Sequence, residues 1–264
     1  MNLNNDKYAQ ALHRLLDIMN ELRDKCPWDK KQTLESLRHL TIEETYELSD
    51  AILEGDLEEI KKELGDLMLH VVFYSKIGSE TNAFDLADVM NSLCDKLITR
   101  HPHVFDKVSV EDEAEVKRNW ERLKLEEKGG NQSVLAGVPK SLPALIKALR
   151  IQEKAHGVGF DWQYQEDVWE KVEEEMAEFR ACFENNKMNR EAAESEFGDL
   201  LFSLVNYARF VEINPENALE KTNQKVIKRF NYMEAAIKRE GKNLHDLTLR
   251  EMDAYWDEAK KNER

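Results

Sequence analysis

The stretches "KKELGDLMLHVVFYSK" at 61–76 and "ESEFGDLLFSLVNYAR" at 194–209 decide the fold, because they are one phrase written twice. They align Glu63 with Glu196 and Asp66 with Asp199 at an offset of 133. Upstream, "TIEETYE" (41–47) aligns with "VEEEMAE" (172–178), placing Glu43, Glu44 and Glu47 over Glu174, Glu175 and Glu178 at an offset of 131. Downstream, "DKLITRH" (95–101) aligns with "QKVIKRF" (224–230), so Lys96 and Arg100 match Lys225 and Arg229. "NWERLKLEE" and "YWDEAKKNE", around Trp120 and Trp256, close the two copies, and "CPWD" (26–29) is echoed by "VGFDW" (158–162). The order of the landmarks is kept, which chance similarity between charged helices does not produce. An internal repeat settles the domain count.

The densest run of helix breakers, "EKGGNQSVLAGVPKSLP" (127–143), lies between the copies. It sets the expected division: an N-terminal helical repeat over 1–128, a linker over 129–141, and a C-terminal repeat over 142–264. Within each copy the apolar positions recur at i, i+3, i+4 and i+7, as in Leu64, Leu67, Met68, Val71 and Val72, and again in Phe197, Leu200, Leu201, Leu204, Val205 and Ala208. These stripes are expected to face the core. Acidic helices are predicted over 34–53 and 165–183, each followed by a short polar turn, "EGDLEE" or "ENNKMN", which implies antiparallel hairpins. With 41% apolar and 34% charged residues and only 10 Gly and 5 Pro in 264, the expected class is all-α, as two tandem helical bundles.

Residues three apart share one helix face. In an antiparallel hairpin the pairs Glu175/Glu178 and Glu196/Asp199 can therefore face each other. Four carboxylates gathered beside an apolar stripe repel and lose hydration, at a cost of several kcal/mol per ion unless a cation compensates. No basic residue recurs in both copies within the acidic helices, so a divalent metal is the expected partner. An all-oxygen donor set suits Mg²⁺, with Mn²⁺ as substitute, better than Zn²⁺. A lone EExxE is most often a solvated face; its repetition with an ExxD inside an apolar phrase points to a site. A di-iron bundle wants Glu-x-x-His, and here the fourth residue is Asp66 or Asp199. Lys225 and Arg229, with Lys228 beside them, form a small cationic face suited to phosphate oxygens. Carboxylates plus phosphate-binding cations point to a polyphosphate substrate held with its metal. Trp256 either stacks on a base or closes the core.

Other chemistries find no support. The net charge of −15 is spread along the chain without a basic stripe, which argues against nucleic acid. No run of 18 apolar residues and no signal peptide is present, so the expected location is the cytoplasm, with no membrane partner. Cys26, Cys94 and Cys182 have neither disulfide nor zinc spacing. His101 and His103 in "RHPHVF" lack counterparts in the second copy and read as structural.

With EExxE, ExxD and KxxxR in order in each half, the chain resembles the MazG-type nucleoside triphosphate pyrophosphohydrolases of the all-α NTP pyrophosphatase superfamily. The resemblance spans nearly the full length. It implies Mg²⁺-dependent hydrolysis of NTPs and dNTPs, including ATP, to monophosphate and pyrophosphate with a broad base range, as nucleotide-pool house-cleaning. It also implies a homodimer. By motif position, Glu175, Glu178, Glu196 and Asp199 would ligate the metal and Glu174 would orient or activate water. Lys171, Lys225, Lys228, Arg229 and Trp256, with Glu175, Glu196 and Asp199, would contact substrate. In two-copy members the C-terminal copy is the expected catalyst. Here Glu44, Glu47, Glu63, Asp66, Lys96 and Arg100 are all intact, so the residues leave a second, N-terminal site open. The competing reading is a non-catalytic helical module that binds nucleotide or metal and regulates.

Overall fold

Thr33 and Asp56 start the two helices that carry the first acidic motif. The Thr33 hydroxyl accepts the Ser36 N–H while Ser36 accepts the Thr33 N–H, a reciprocal cap that opens α2 (Leu34–Glu54). That helix ends at Gly55, whose φ of +72° is a left-handed conformation suited to glycine. The next residue, Asp56, accepts the N–H groups of Glu58 and Glu59 and begins α3 (Leu57–Glu80). A connection this short folds α3 back on α2.

The computed structural model describes residues 6–106, 133–183 and 189–262, together with 115, 116, 119, 120 and 123. Contacts divide the chain into two compact units, Met1–Val110 and Glu111–Arg264. Among the described residues the regular structure is helical, with no strand.

In the first unit, α1 (Asp6–Lys25) and α4 (Leu86–Arg100) pack against α3 beside its hairpin with α2, and α5 (Pro102–Phe105) follows. Met19, Leu37, Val72, Phe73 and Leu86 form the buried core, flanked by Leu12, Leu15, Leu16, Leu40, Leu69, Tyr74 and Ile77. Each fully buried side chain of this size contributes about 1.5–3 kcal/mol. Arg23 staples the open end of the unit. It donates two hydrogen bonds of 2.8 Å to Glu80 at the end of α3 and further ones to the carbonyls of Asp29 and Gln32. Gly78 allows the α3–α4 turn to close, since a Cβ there would stand 2.8 Å from the Phe84 ring.

The second unit repeats the plan with α6 (Ala144–Gly157), α7 (Gln165–Ala181), α8 (Arg190–Phe210), α9 (Pro215–Arg239) and α10 (Leu249–Asn262). Asn189 caps α8 and Asn214 caps α9, whose first turn carries Pro215. Val168, Val172, Leu200, Val205, Met233, Ala236 and Ile237 are buried at its centre. The breaker-rich stretch reads as expected in part. Its residues 127–132 lie outside the described residues, while the 3₁₀ turn Val134–Gly137 packs on α6 and so belongs with the second unit. Five of the six residues of the turn "ENNKMN", 184–188, also lie outside the described residues.

The stripes expected to face the core divide in two. Val72, Leu200 and Val205 are buried, but Leu64, Met68 and Val71 are exposed, and so are their counterparts Phe197, Leu201 and Leu204. The inward face of α3 instead carries Glu63, His70 and Phe73, and that of α8 carries Leu200, Ser203 and Asn206. Each helix thus has two apolar edges, one inside the unit and one on its surface.

Candidate active site

Because α7 and α8 form a hairpin, acids on their facing sides meet. Oxygens of Glu175, Glu196 and Asp199 all lie within 4.8 Å of one another. In the first unit Glu44, Glu63 and Asp66, from α2 and α3, form the matching set under the same limit. Both sets are carboxylate-only, the donor chemistry of a hard divalent cation, and each includes one buried member, Glu175 at 7% exposure and Glu63 at 3%. Glu63 Oε2 is buried without a hydrogen-bond partner, an arrangement that favours a cation nearby.

The charge crowding is visible in the proton affinities. Glu196 is raised above the ordinary carboxylate range by loss of hydration, then by the charges of Glu178, Asp199 and Glu175. Glu44 is raised by loss of hydration, then by Asp66, Glu47, Glu63 and Glu43. Glu178 and Glu47 therefore stand next to the two sets, outside the tight groups of three.

Each set also has a lysine, which the comparison of repeats missed. Lys171 Nζ lies 2.6 Å from Glu175 and 3.0 Å from Glu174. In the first unit Lys62 Nζ lies 2.8 Å from Glu63. Both ammonium groups are held well above the ordinary lysine range by these carboxylate bonds. The two lysines come from different helices and non-equivalent positions; Leu40 stands where the second copy has Lys171. A divalent ion is thus not the only counter-charge, although one ammonium against three carboxylates leaves excess negative charge at each set.

A cavity of about 380 Å³ opens beside the second set, and its walls include Glu175 and Asp199 of the set together with Lys171. Val168, Phe202, Phe160, Trp162, Ile151 and Leu135 supply its apolar surface. Asp161 and Arg209 brace its rim through a 2.6 Å ion pair, each side chain 13% exposed, and His156 Nδ1 bonds Asp161 at 2.7 Å. Burial alone would raise the Asp161 carboxyl, but Arg209, His156 and the Trp162 N–H together hold it below the usual range. A wider hollow of about 600 Å³ along Asn231–Leu244 shares no residue with either carboxylate set.

The remaining sequence-predicted residues are not among the walls of this cavity. Lys225 and Lys228 are exposed on α9, and the Arg229 guanidinium sits 5.9 Å from the centre of the half-buried Trp256 ring on α10. Lys96 is exposed on α4 and Arg100 is half-buried. The rings of His101 and His103 lie 5.6 Å apart, tilted by 54°, at the start of α5, with His101 Nδ1 bonded to the Leu97 carbonyl. The sequence reading did not single out Gln152, Ser203, Asn206, Asp161 or Arg209. The one available signal was small polar residues at i and i+3, Ser203 and Asn206, interrupting the apolar phrase of α8.

Among proteins of known sequence, residues 32–105 match the model of the MazG nucleotide pyrophosphohydrolase domain. The chain is 44% identical over 249 residues to a nucleoside triphosphate pyrophosphohydrolase/pyrophosphatase MazG of Thermotoga maritima, covering 93% of this chain and 94% of that one. It is 40% identical over 257 residues to a nucleoside triphosphate pyrophosphohydrolase of Escherichia coli, covering 96% and 98%. A Bacillus subtilis protein, YabN, is 48% identical over 250 residues, which make up 94% of this chain and 51% of YabN.

Proposed function

The chain belongs to the MazG family and is a nucleoside triphosphate pyrophosphohydrolase; from that premise we propose that its C-terminal copy carries the reaction, with Mg²⁺, on NTPs and dNTPs of broad base range. The observation that supports this most is the meeting of Glu175, Glu196 and Asp199, the first and last of which line a cavity large enough for a small ligand. On this reading these three carboxylates, with Glu178 beside them, hold the metal. When bound, Mg²⁺ neutralises triphosphate charge and makes a water acidic enough to attack phosphorus.

The chain's own groups do the rest. Lys171 is tethered to Glu174 and Glu175 and lines the cavity, so it is placed to meet a phosphate oxygen. Glu174, on the outer side of that lysine, is the group assigned to orient water. Lys225, Lys228 and Arg229 hold phosphates, and Trp256 fixes the Arg229 guanidinium by a cation–π contact. The apolar cavity wall limits water around Lys171, which strengthens its charge contacts.

The two copies, 1–128 and 142–264 joined by 129–141, differ in role on this reading. The first keeps Glu44, Glu47, Glu63, Asp66, Lys96 and Arg100 and binds a cation, but does not turn over nucleotide. The enzyme works as a homodimer on the nucleotide pool of the cytoplasm, clear of nucleic acid and membrane. The exposed apolar edges of α3 and α8 support pairing, and among the described residues no helix is long and apolar enough to cross a membrane. Sedimentation that returned a monomer would remove the dimer.

The test is pyrophosphate release from a panel of NTPs and dNTPs with Mg²⁺, comparing wild type with Glu47→Ala and Glu178→Ala. Loss in Glu178→Ala alone supports the assignment. Loss in both means that the copies share the work. Release confined to one base contradicts the broad range.

A further inference from the structure

The loop between α6 and α7, residues 158–164, carries three exposed aromatic side chains: Phe160 at 78%, Tyr164 at 57% and Trp162 at 41% exposure. Phe160 and Trp162 line the cavity beside the second carboxylate set. Rings this exposed have few neighbours to orient them, so their places are set by the main chain that carries them. Two devices fix that main chain. At its start α6 closes in a left-handed turn, in which Gly159 has a φ of +85°, the Gly159 N–H donates to the His156 carbonyl at 2.9 Å and the Phe160 N–H donates to the Ala155 carbonyl at 3.0 Å. Between the two rings stands Asp161, whose side chain is 13% exposed.

Asp161 gathers three elements. Its Oδ1 accepts from the Arg209 terminal nitrogen at 2.6 Å and from the Trp162 N–H at 2.9 Å, and its Oδ2 bonds His156 Nδ1 at 2.7 Å. The end of α6, the loop and α8 meet at this one carboxylate. Arg209 has a second task. Its Nε and the same terminal nitrogen donate to Asn206 Oδ1 at 3.1 and 2.9 Å, and Asn206, 6% exposed, is a further residue of the cavity wall. One guanidinium therefore holds both the aromatic loop and a polar side chain of the wall through charge-assisted bonds.

Resting on the assignment of the reaction to the C-terminal copy, with substrate reaching this cavity, we propose that Asp161 and Arg209 are positioning residues whose ion pair latches residues 158–162 to α8 in the form that binds substrate. Neither side chain touches a reacting atom on this account. The latch acts on affinity: with the pair broken the loop spreads over several conformations, and apparent affinity falls by the fraction of molecules that still hold the fitting one. Chemistry follows binding, so turnover of the bound complex is unchanged. A rise in KM at constant kcat is the mark of such a loss.

The first copy ties its loop differently. Asp29 stands at the position of Asp161 and Lys76 at that of Arg209. There Arg23, from α1, donates to the main-chain carbonyls of Asp29 and Gln32. At the position of Asn206 it has Phe73, a member of the buried core. The side-chain latch thus belongs to the copy whose hairpin borders the cavity.

The experiment measures KM and kcat for ATP with Mg²⁺ on the wild type, Asp161→Ala, Arg209→Met and the double variant. Each single substitution should raise KM about tenfold and leave kcat within about twofold. The double variant should raise KM no further, because both substitutions remove the same contact. A rise of about a hundredfold in the double variant, the product of two independent effects, overturns the latch. So does an unchanged KM, or a loss confined to kcat. Asp161→Asn keeps the shape of the side chain without its charge and should raise KM about threefold; an unchanged KM there overturns the latch even if the other variants do not fold. Iodide quenching of Trp162 fluorescence, taken as the difference from Trp162→Phe, is read without substrate and so does not depend on the catalytic assignment. It should increase in Arg209→Met, and equal quenching counts against the latch. Full activity in Asp199→Ala would remove the C-terminal assignment instead, and the role of the latch in binding with it.

Discussion

The two copies have the same carboxylate triad on the same hairpin and different interiors beside it. In the second copy Glu175 and Asp199 line a cavity, whereas the first copy has Phe73, a member of its buried core, where the second has the cavity residue Asn206. The acids alone do not distinguish the copies. Three positions one or two turns away do: Leu40 for Lys171, His70 for Ser203 and Phe73 for Asn206. On the reading proposed above these positions separate cation binding from turnover, although the first copy keeps Lys96 and Arg100 as well.

The largest effect expected is at the second triad. Asp199→Ala should lower pyrophosphate release by about a thousandfold, equivalent to about 4 kcal/mol of barrier, while Asp66→Ala should change it less than about twofold. Equal losses would erase the distinction between the copies. Next comes the interior. Ser203→His with Asn206→Phe gives the second cavity the residues of the first, and should raise KM for ATP by about a hundredfold, about 2.7 kcal/mol, with the fold retained by circular dichroism. An unchanged KM would show that the cavity does not take substrate.

The staples provide a smaller contrast, read in stability. Arg209 and Asp161 are both 13% exposed, whereas Arg23 is 13% and its partner Glu80 37%. Arg209→Met should cost about 3 kcal/mol in urea unfolding, because it leaves a shielded carboxylate uncompensated. Arg23→Met, facing a wetter partner, should cost about 1 kcal/mol. The smallest effect is in acid. Asp161 is held below its unfolded value, so its contribution is fully present above the ordinary carboxylate pKa and is lost as pH falls through the depressed one. Asp161→Asn should flatten the fall in stability over that acidic window and leave neutral pH lower by a constant amount.

The hairpins were readable because residues three apart share a helix face and because Gly55 and Asp56 form a turn too short for anything else. The same spacing predicted a group of four carboxylates, of which Glu175, Glu196 and Asp199 lie close together while Glu178 stands beside them. The apolar stripes were readable as stripes but not as inside or outside: Leu64, Met68 and Val71 obey helical periodicity as well as Val72 does, and periodicity does not say what covers a face. Lys171 was named only through the family resemblance and Lys62 not at all, because the two reach the triads from different helices and alignment of the copies hides them. Asp161 and Arg209 were silent for another reason. An acid and a base far apart in sequence form no pattern, and their significance arises only when the fold brings them to 2.6 Å.

The exposed edge Leu64, Met68 and Val71 on α3 recurs as Phe197, Leu201 and Leu204 on α8. Two like apolar edges on one polypeptide give the chain a valence of two if both associate. A body of valence two either closes its associations by point symmetry or extends into an open string. The homodimer proposed above is the closed alternative.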